Sequence, residues 1–156
     1  MSRVLVVGEA LMDVVTVVDK GTRRRSEHPG GSPANVALGL SRLGVETDFL
    51  TSLAIDTAGL AIAQHLRDSG VQIVPESFNA HQTSHATATI GTNGAASYEF
   101  DISWHITNTF DIPPVDIIHT GSIAAFLQPG GEQVRQIVQN APPSSLVSFV
   151  PTFGPD

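Results

Sequence analysis

Apolar residues change their spacing along this chain at glycine and proline, and the spacing predicts the elements. Arg3-Val-Leu-Val-Val-Gly8 is an unbroken apolar run ending in glycine, the pattern of a parallel strand buried on both faces. Val14 to Val18 reads as a second strand, followed by a polar loop over 19–31. Ser32 is then placed to cap a helix with Pro33 in its first turn, along which Val36, Gly39, Leu40 and Leu43 recur at helical intervals before Gly44. Glu46 to Leu53 predicts a strand. Thr57 to Ser69 predicts a helix with Ala58, Ile62 and Leu66 on one stripe and Gly70 as its stop.

Further along, His85 to Gly91 and Ala95 to Ile102 flank Asn93-Gly94, a strong short-range signal for a hairpin. Val115 to His119 is another buried strand, Gly131 to Ala141 a helix with Val134, Ile137, Val138 and Ala141 on one face, and Leu146 to Val150 a last strand after Pro142-Pro143. Strands alternating with helices predict an α/β fold with a parallel core sheet, to which the hairpin adds a small antiparallel piece. No internal repeat interrupts this order, so residues 1–156 read as one domain.

Composition narrows the partners. The 156 residues carry 8 basic and 15 acidic side chains, a net charge of −7, which excludes nucleic acid as an expected partner because phosphate binding needs a basic surface. Arg23-Arg24-Arg25 reads as a solvated loop. The apolar runs are too short to span a bilayer and there is no cysteine, so no membrane contact, no disulfide and a cytoplasmic setting are expected. His81 and His85 fall in extended chain, where four residues of separation put their side chains roughly 13 Å apart, too far to share a metal. His119 reads as a core histidine, and nothing places Ser122 near a base.

Two stretches carry candidate chemistry. Gly30-Gly31-Ser32-Pro33 before a helix lets backbone approach a ligand and points N–H groups at it, which suits either an anion or the hydroxyls of a sugar, or is a capped helix start and nothing more. Asn35, in the first helical turn, can both donate to and accept from a polyol. The first strand delivers Glu9 and Asp13 beyond its carboxyl end, where open α/β sheets place ligands. A carboxylate there can take two hydroxyls, or can simply fix the turn. The glycine turn matches neither a Walker loop nor a dinucleotide fingerprint.

Together, Gly8-Glu9-x-x-x-Asp13 and Gly30-Gly31-x-x-x-Asn35 with a helix closing at Gly44 resemble the start of the ribokinase-like (PfkB) carbohydrate kinases, and the Gly-Glu-Ala-Leu and Gly-Gly-Ser-Pro-x-Asn forms are most similar to the bacterial fructokinase branch. The resemblance implies a ribokinase-like, Rossmann-like parallel sheet with a β lid, its strands near 14–18 and 85–104. Asp13, Gly30, Gly31 and Asn35 would hydrogen-bond the sugar. Tyr98, Phe100, Ile102 and Trp104 alternate, so they would face one way, with Phe100 and Ile102 against the sugar; the same stripe equally suits hairpin packing or a dimer contact.

Ala54 stands where the family usually has glycine, and Val150-Pro151-Thr152-Phe153-Gly154-Pro155 where it has Asp-Pro-Asn-x-Arg-Pro. The family's Gly-x-Gly-Asp anion hole, catalytic aspartate and nucleotide pocket come after the stretch this sequence resembles. ATP and magnesium are therefore expected for the complete family enzyme and neither on this chain alone, which would have no catalytic residue and no kinase turnover. The expected activity is sugar phosphorylation with this chain as the sugar-binding half. A non-catalytic sugar-binding or regulatory protein, or a truncated self-associating remnant, are the alternatives. A homodimer through the lid or an exposed sheet edge is expected, because a parallel sheet ending near residue 150 leaves an unpaired strand.

Overall fold

The computed structural model describes residues 2–107 and 110–151. The apolar run at the start is strand β1 (Arg3–Val7), with Val4 through Val7 buried. A strand with no solvent face needs cover on both sides, and β1 stands in the middle of a five-stranded parallel sheet. Strands β4 (Glu46–Leu50) and β8 (Ile117–Gly121) flank it, β5 (Gln72–Ile73) lies outside β4, and β9 (Leu146–Val150) lies outside β8. The order is β5-β4-β1-β8-β9. Helices α1 (Ser32–Arg42) and α2 (Thr57–Asp68) cover one face, where Val4, Val6 and Phe49 meet Ala37, Ile62 and Leu66. On the other face, Leu5, Val7, Leu50 and Ile118 are closed over by Trp104, Ile106 and helix α4 (Gly130–Gln139). A short helix, α3 (Ser122–Phe126), follows β8 directly.

The smaller sheet has four strands, β3 (Thr22–Gly30), β2 (Leu11–Asp19), β6 (His85–Ile90) and β7 (Ala96–Asp101), in the order β3-β2-β6-β7. The β6–β7 hairpin turns at Asn93-Gly94 as expected, with Gly94 at φ 76°. The sheet is mixed, not purely antiparallel, since β2 and β6 run parallel. Along β2, Met12, Val14 and Thr16 are buried while Asp13, Val15 and Val17 are half-buried. Met12 and Val14 join the core beside α2, so the opposite face of this sheet, with Asp13, is the more open one.

The polar loop expected over 19–31 is instead strand β3. Lys20 and Gly21 have φ 46° and 79°, the two left-handed residues of a primed hairpin turn, whose twist suits antiparallel strands. Asp19 pairs with Thr22 across it. Residues 22–28 are exposed because β3 is a sheet edge, and an edge strand open to water shows no apolar alternation to read. Arg23-Arg24-Arg25 therefore lies on a strand, where charge discourages further edge pairing.

Two side-chain assignments also change. Ser32 does not cap α1; Gly31 occupies that position and no side chain caps the helix. Its buried face is Pro33, Ala34 and Ala37, while Leu43 is 82% exposed. The inner face is made of small residues because the helix start lies against the sheet: Pro33 sits so close to Gly8 that any side chain there would collide with it. Trp104 leaves the alternating stripe. Strand β7 ends at Asp101, and the Trp104 indole is 1% exposed in the core, its Nε1 donating to the Ala124 carbonyl at 2.9 Å. Thr152 and the residues after it lie outside the described residues.

Candidate functional site at the β2–β3 pair and the start of α1

Asp13 is the third residue of β2, just past the loop that leaves the carboxyl end of β1. Strand β3 returns beside it with Leu11 opposite Gly30 and Asp13 opposite His28. The Asp13 carboxylate leans along the strands towards Gly30, and any side chain at position 30 would collide with its Oδ2. Gly31 is held to glycine by different neighbours. Its φ of 102° lies in the region L-residues rarely adopt, and a Cβ there would be 2.7 Å from the Glu9 carbonyl oxygen. Each glycine thus records a close approach.

Asp13, Gly30 and Gly31 are brought together by this register. Asn35 follows one turn into α1, its N–H donating to the Gly31 carbonyl at 2.9 Å. Asn35 is exposed, and its side-chain amide has no hydrogen-bond partner among the described residues. The Asp13 carboxylate likewise accepts no hydrogen bond from them. Burial pushes its pKa above the ordinary value, and the charge of His28 opposes that rise.

A cavity of about 540 Å³ opens on this face of the small sheet, lined by Asp13, His28, Val15, Ala86, Tyr98 and Phe100. The Tyr98 and Phe100 rings lie 6.5 Å apart and within 10° of parallel. Phe100 therefore shares a wall with Asp13. Ile102 does not line the cavity; it lies past the end of β7, half-buried. Trp104 is in the core, as above.

Charge bears on the choice between anion and polyol left open at the glycine turn. A phosphate at Gly30 would meet the Asp13 carboxylate that already leans over it, whereas a hydroxyl can donate to that carboxylate. The turn suits a neutral, hydroxyl-rich ligand.

Glu9, the other carboxylate of this stretch, is 3% exposed, and its Oε2 has no hydrogen-bond partner. Burial pushes its pKa up to about 7, against hydrogen bonds from its own amide and that of Ala124. It ties the β1–β2 loop to the first turn of α3. His119 is a core histidine with one nitrogen satisfied: Nδ1 lies 3.0 Å from Ser148 Oγ, Nε2 is buried without a partner, and burial lowers its pKa.

A model of the pfkB family carbohydrate kinases matches residues 1–153. The chain belongs to this family. A fructokinase of Rhizobium leguminosarum bv. trifolii is 28% identical over 160-odd residues, covering 97% of this chain and 49% of that protein. Among solved structures, a fructokinase from Vibrio cholerae in its apo form superposes with a TM-score of 0.80 at 27% identity, covering 99% of this chain and 55% of that one. A sugar kinase from Pyrococcus horikoshii in complex with ATP superposes at 0.77 with 27% identity, covering 94% and 52%. The pfkB chain thus spans about half the length of the relatives it matches. Among its described residues no helix is long and apolar enough to cross a membrane.

His28, on the wall of the same cavity as Asp13, does not stand out in the sequence. The signal was present in Lys20-Gly21: a two-residue turn pairs 19 with 22, which fixes 13 opposite 28.

Proposed function

We propose that this chain is the sugar-binding half of a fructokinase-like kinase that transfers the γ-phosphate of ATP to a sugar hydroxyl. The observation that carries the reading is the half-buried Asp13 carboxylate, without a hydrogen-bond partner, leaning over the glycine turn, where its charge disfavours an anion. Asp13 accepts two neighbouring hydroxyls of a ketohexose. Gly30 and Gly31 let the ring approach the backbone, Asn35 donates to and accepts from a further hydroxyl, and Phe100 with Tyr98 forms the wall against the carbon face. The small sheet is the lid. Ile102, expected beside Phe100, takes no part.

ATP, magnesium and the groups that stabilise the transferring phosphoryl belong to the half of the family fold that this sequence does not match. Phosphoryl transfer depends mainly on positioning and charge stabilisation, so the chain alone binds sugar without turning it over. It is cytoplasmic and pairs with a second copy through the lid or through β9, where Leu146 is 70% exposed and Phe149 45%.

Calorimetry with D-fructose tests the assignment. Asp13→Ala and Asn35→Ala should each weaken binding by about 0.5–1.5 kcal/mol, the net worth of one hydrogen bond, and by more where a partner is left buried. Unchanged affinity in both variants, or steady sugar-phosphate formation by the purified chain with ATP, would contradict the proposal.

A further inference from the structure

The carboxylate that marks the sugar site stands on one rung of the small sheet, and the cavity beside it runs on to a second. Across β2, β6 and β7 the first rung is Asp13, Ala86 and Phe100, and the next one facing the same way is Val15, Ala88 and Tyr98. Such rungs are two residues apart, roughly 7 Å at about 3.4 Å per residue. Both line the cavity of about 540 Å³, a volume within the range of about 300–1,000 Å³ for clefts that hold drug-sized ligands.

The two rungs differ in chemistry. The first carries a carboxylate, whereas no side chain of the second is charged, and between Val15 and the Tyr98 ring stands only the Ala88 methyl. Strand β6 reads His-Ala-Thr-Ala-Thr-Ile, so its two alanines fall on the cavity face while His85, Thr87 and Thr89 face the other way. Alanine is depleted in strands, where branched and aromatic side chains normally fill the space between neighbours. Two in succession on one face leave a trough along β6, walled on one side by the aromatic rings of β7. Those rings are 59% and 64% exposed at Tyr98 and Phe100, and their near-parallel planes form an apolar surface open to a ligand. A second sugar ring in this trough would give up water from its hydroxyls against Val15 and Ala88, which return no hydrogen bond. An apolar group loses nothing there and gains burial.

We propose that the site takes a sugar carrying an apolar substituent, such as an aryl glycoside, with the sugar at Asp13 and the substituent in the trough over Ala88 beside the Tyr98 ring. The proposal rests on the sugar-site reading above. Phe100 lies at the sugar's rung and Tyr98 carries the same wall one rung further, so the two rings hold the two parts of one ligand. Ala88 is the specificity-determining residue, because its small size keeps the trough open.

Calorimetry tests this with D-fructose, methyl β-D-fructopyranoside and benzyl β-D-fructopyranoside on the 1–156 chain and on Ala88→Leu, Tyr98→Ala and Asp13→Ala. The benzyl glycoside should bind the wild type about ten- to twentyfold more tightly than the methyl one, the worth of about six added carbons at the efficiency of a drug-sized ligand. Ala88→Leu, which fills the trough, should abolish that preference, and Tyr98→Ala should cut it severalfold. Asp13→Ala should weaken both glycosides alike and leave their ratio unchanged. Tyr98 is exposed on an edge strand, so its truncation should leave the fold intact, and matching near-UV circular dichroism checks every variant. Equal affinity for the two glycosides, the outcome when a second copy covers the rings, would overturn the apolar subsite and leave the sugar site standing. A benzyl preference that survives both Ala88→Leu and Tyr98→Ala would put the aryl group elsewhere and overturn it too, as would fructose binding with neither glycoside bound. No binding of fructose or of either glycoside would overturn the sugar site and this proposal with it.

Discussion

Glu9→Gln removes one proton-binding group from the centre of the fold while keeping an acceptor for the Ala124 amide. In the folded chain the Glu9 carboxyl is 3% exposed with Oε2 unpartnered, and burial raises its pKa from 4.5 to about 7. Between those values the native state binds a proton that the unfolded state has released. Stability from this group is therefore fully present below about pH 4.5 and is lost as pH rises through about 7. The gap of about 2.5, at about 1.4 kcal/mol per unit, makes the loss roughly 3 kcal/mol. That is a large part of the 5–15 kcal/mol expected for a whole domain. Glutamine mimics the neutral carboxyl at every pH, so its curve lacks this slope. Its amide NH₂ can be left without a partner, at a cost of about 1–3 kcal/mol, but that offset does not vary with pH. Urea unfolding at half-unit steps from pH 4.5 to 8.5 gives the readout as the difference between the two proteins, which cancels the other titrating groups. The variant should gain about 3 kcal/mol on the wild type across this range, with the change centred between pH 5 and 7. Parallel curves would refute the assignment of a buried, proton-holding Glu9.

Two further outcomes follow from other contacts. Asp56 caps α2 by accepting from Gly59 N–H at 2.7 Å and also holds Thr83 through its N–H and hydroxyl, so Asp56→Ala should cost about 1–3 kcal/mol in urea unfolding at pH 7. Burial pushes Asp56 up, but these hydrogen bonds outweigh it and its pKa is lowered; the penalty should therefore shrink as pH falls through the folded-state pKa, and a penalty constant to pH 2 would contradict the cap. For the proposed pairing of chains, sedimentation at micromolar concentration should show dimer in the wild type and a shift towards monomer in Phe149→Lys, since Phe149 is on the edge strand against Phe126, their rings 6.3 Å apart; a monomeric wild type would rule it out.

What the sequence made legible tracks what each element needs from its own residues. Strand β1 must be covered on both faces and is apolar throughout; helix α2 is stopped by Gly70 at φ 92°; the β6–β7 turn needs Gly94 at positive φ. Each requirement is local, so a single stretch displays it. Strand β3 makes its contacts on one side only, at an open edge, so its residues carry no apolar signature and its existence is written in the Lys20-Gly21 turn instead. The inner face of α1 is set by the closeness of Gly8, a distant residue, and closeness selects alanine over leucine; hydrophobic periodicity alone points to the wrong stripe. Trp104 fails for a related reason. Alternation holds only while a strand continues, and β7 ends three residues before it.

The candidate site shows the same division at the level of chemistry. Asp13, Gly30, Gly31 and Asn35 stand out in sequence because their types are unusual for their places, and the structure sets Asp13 against Gly30, with Gly31 next to it against the Glu9 carbonyl. What the types could not supply was sign. A glycine turn at a helix start favours an anion by its geometry, and the lean of the Asp13 carboxylate over Gly30 weighs against one. The same register that produces this lean sets His28 opposite Asp13. Moving β3 by one residue would turn His28 to the core face and bring Glu27 or Pro29 beside the carboxylate, since strand side chains alternate. An acidic residue or a proline would then face Asp13 in place of an imidazole. The two-residue turn at Lys20-Gly21, over 20 Å of strand away at about 3.4 Å per residue, thus decides which residue stands opposite the site's carboxylate.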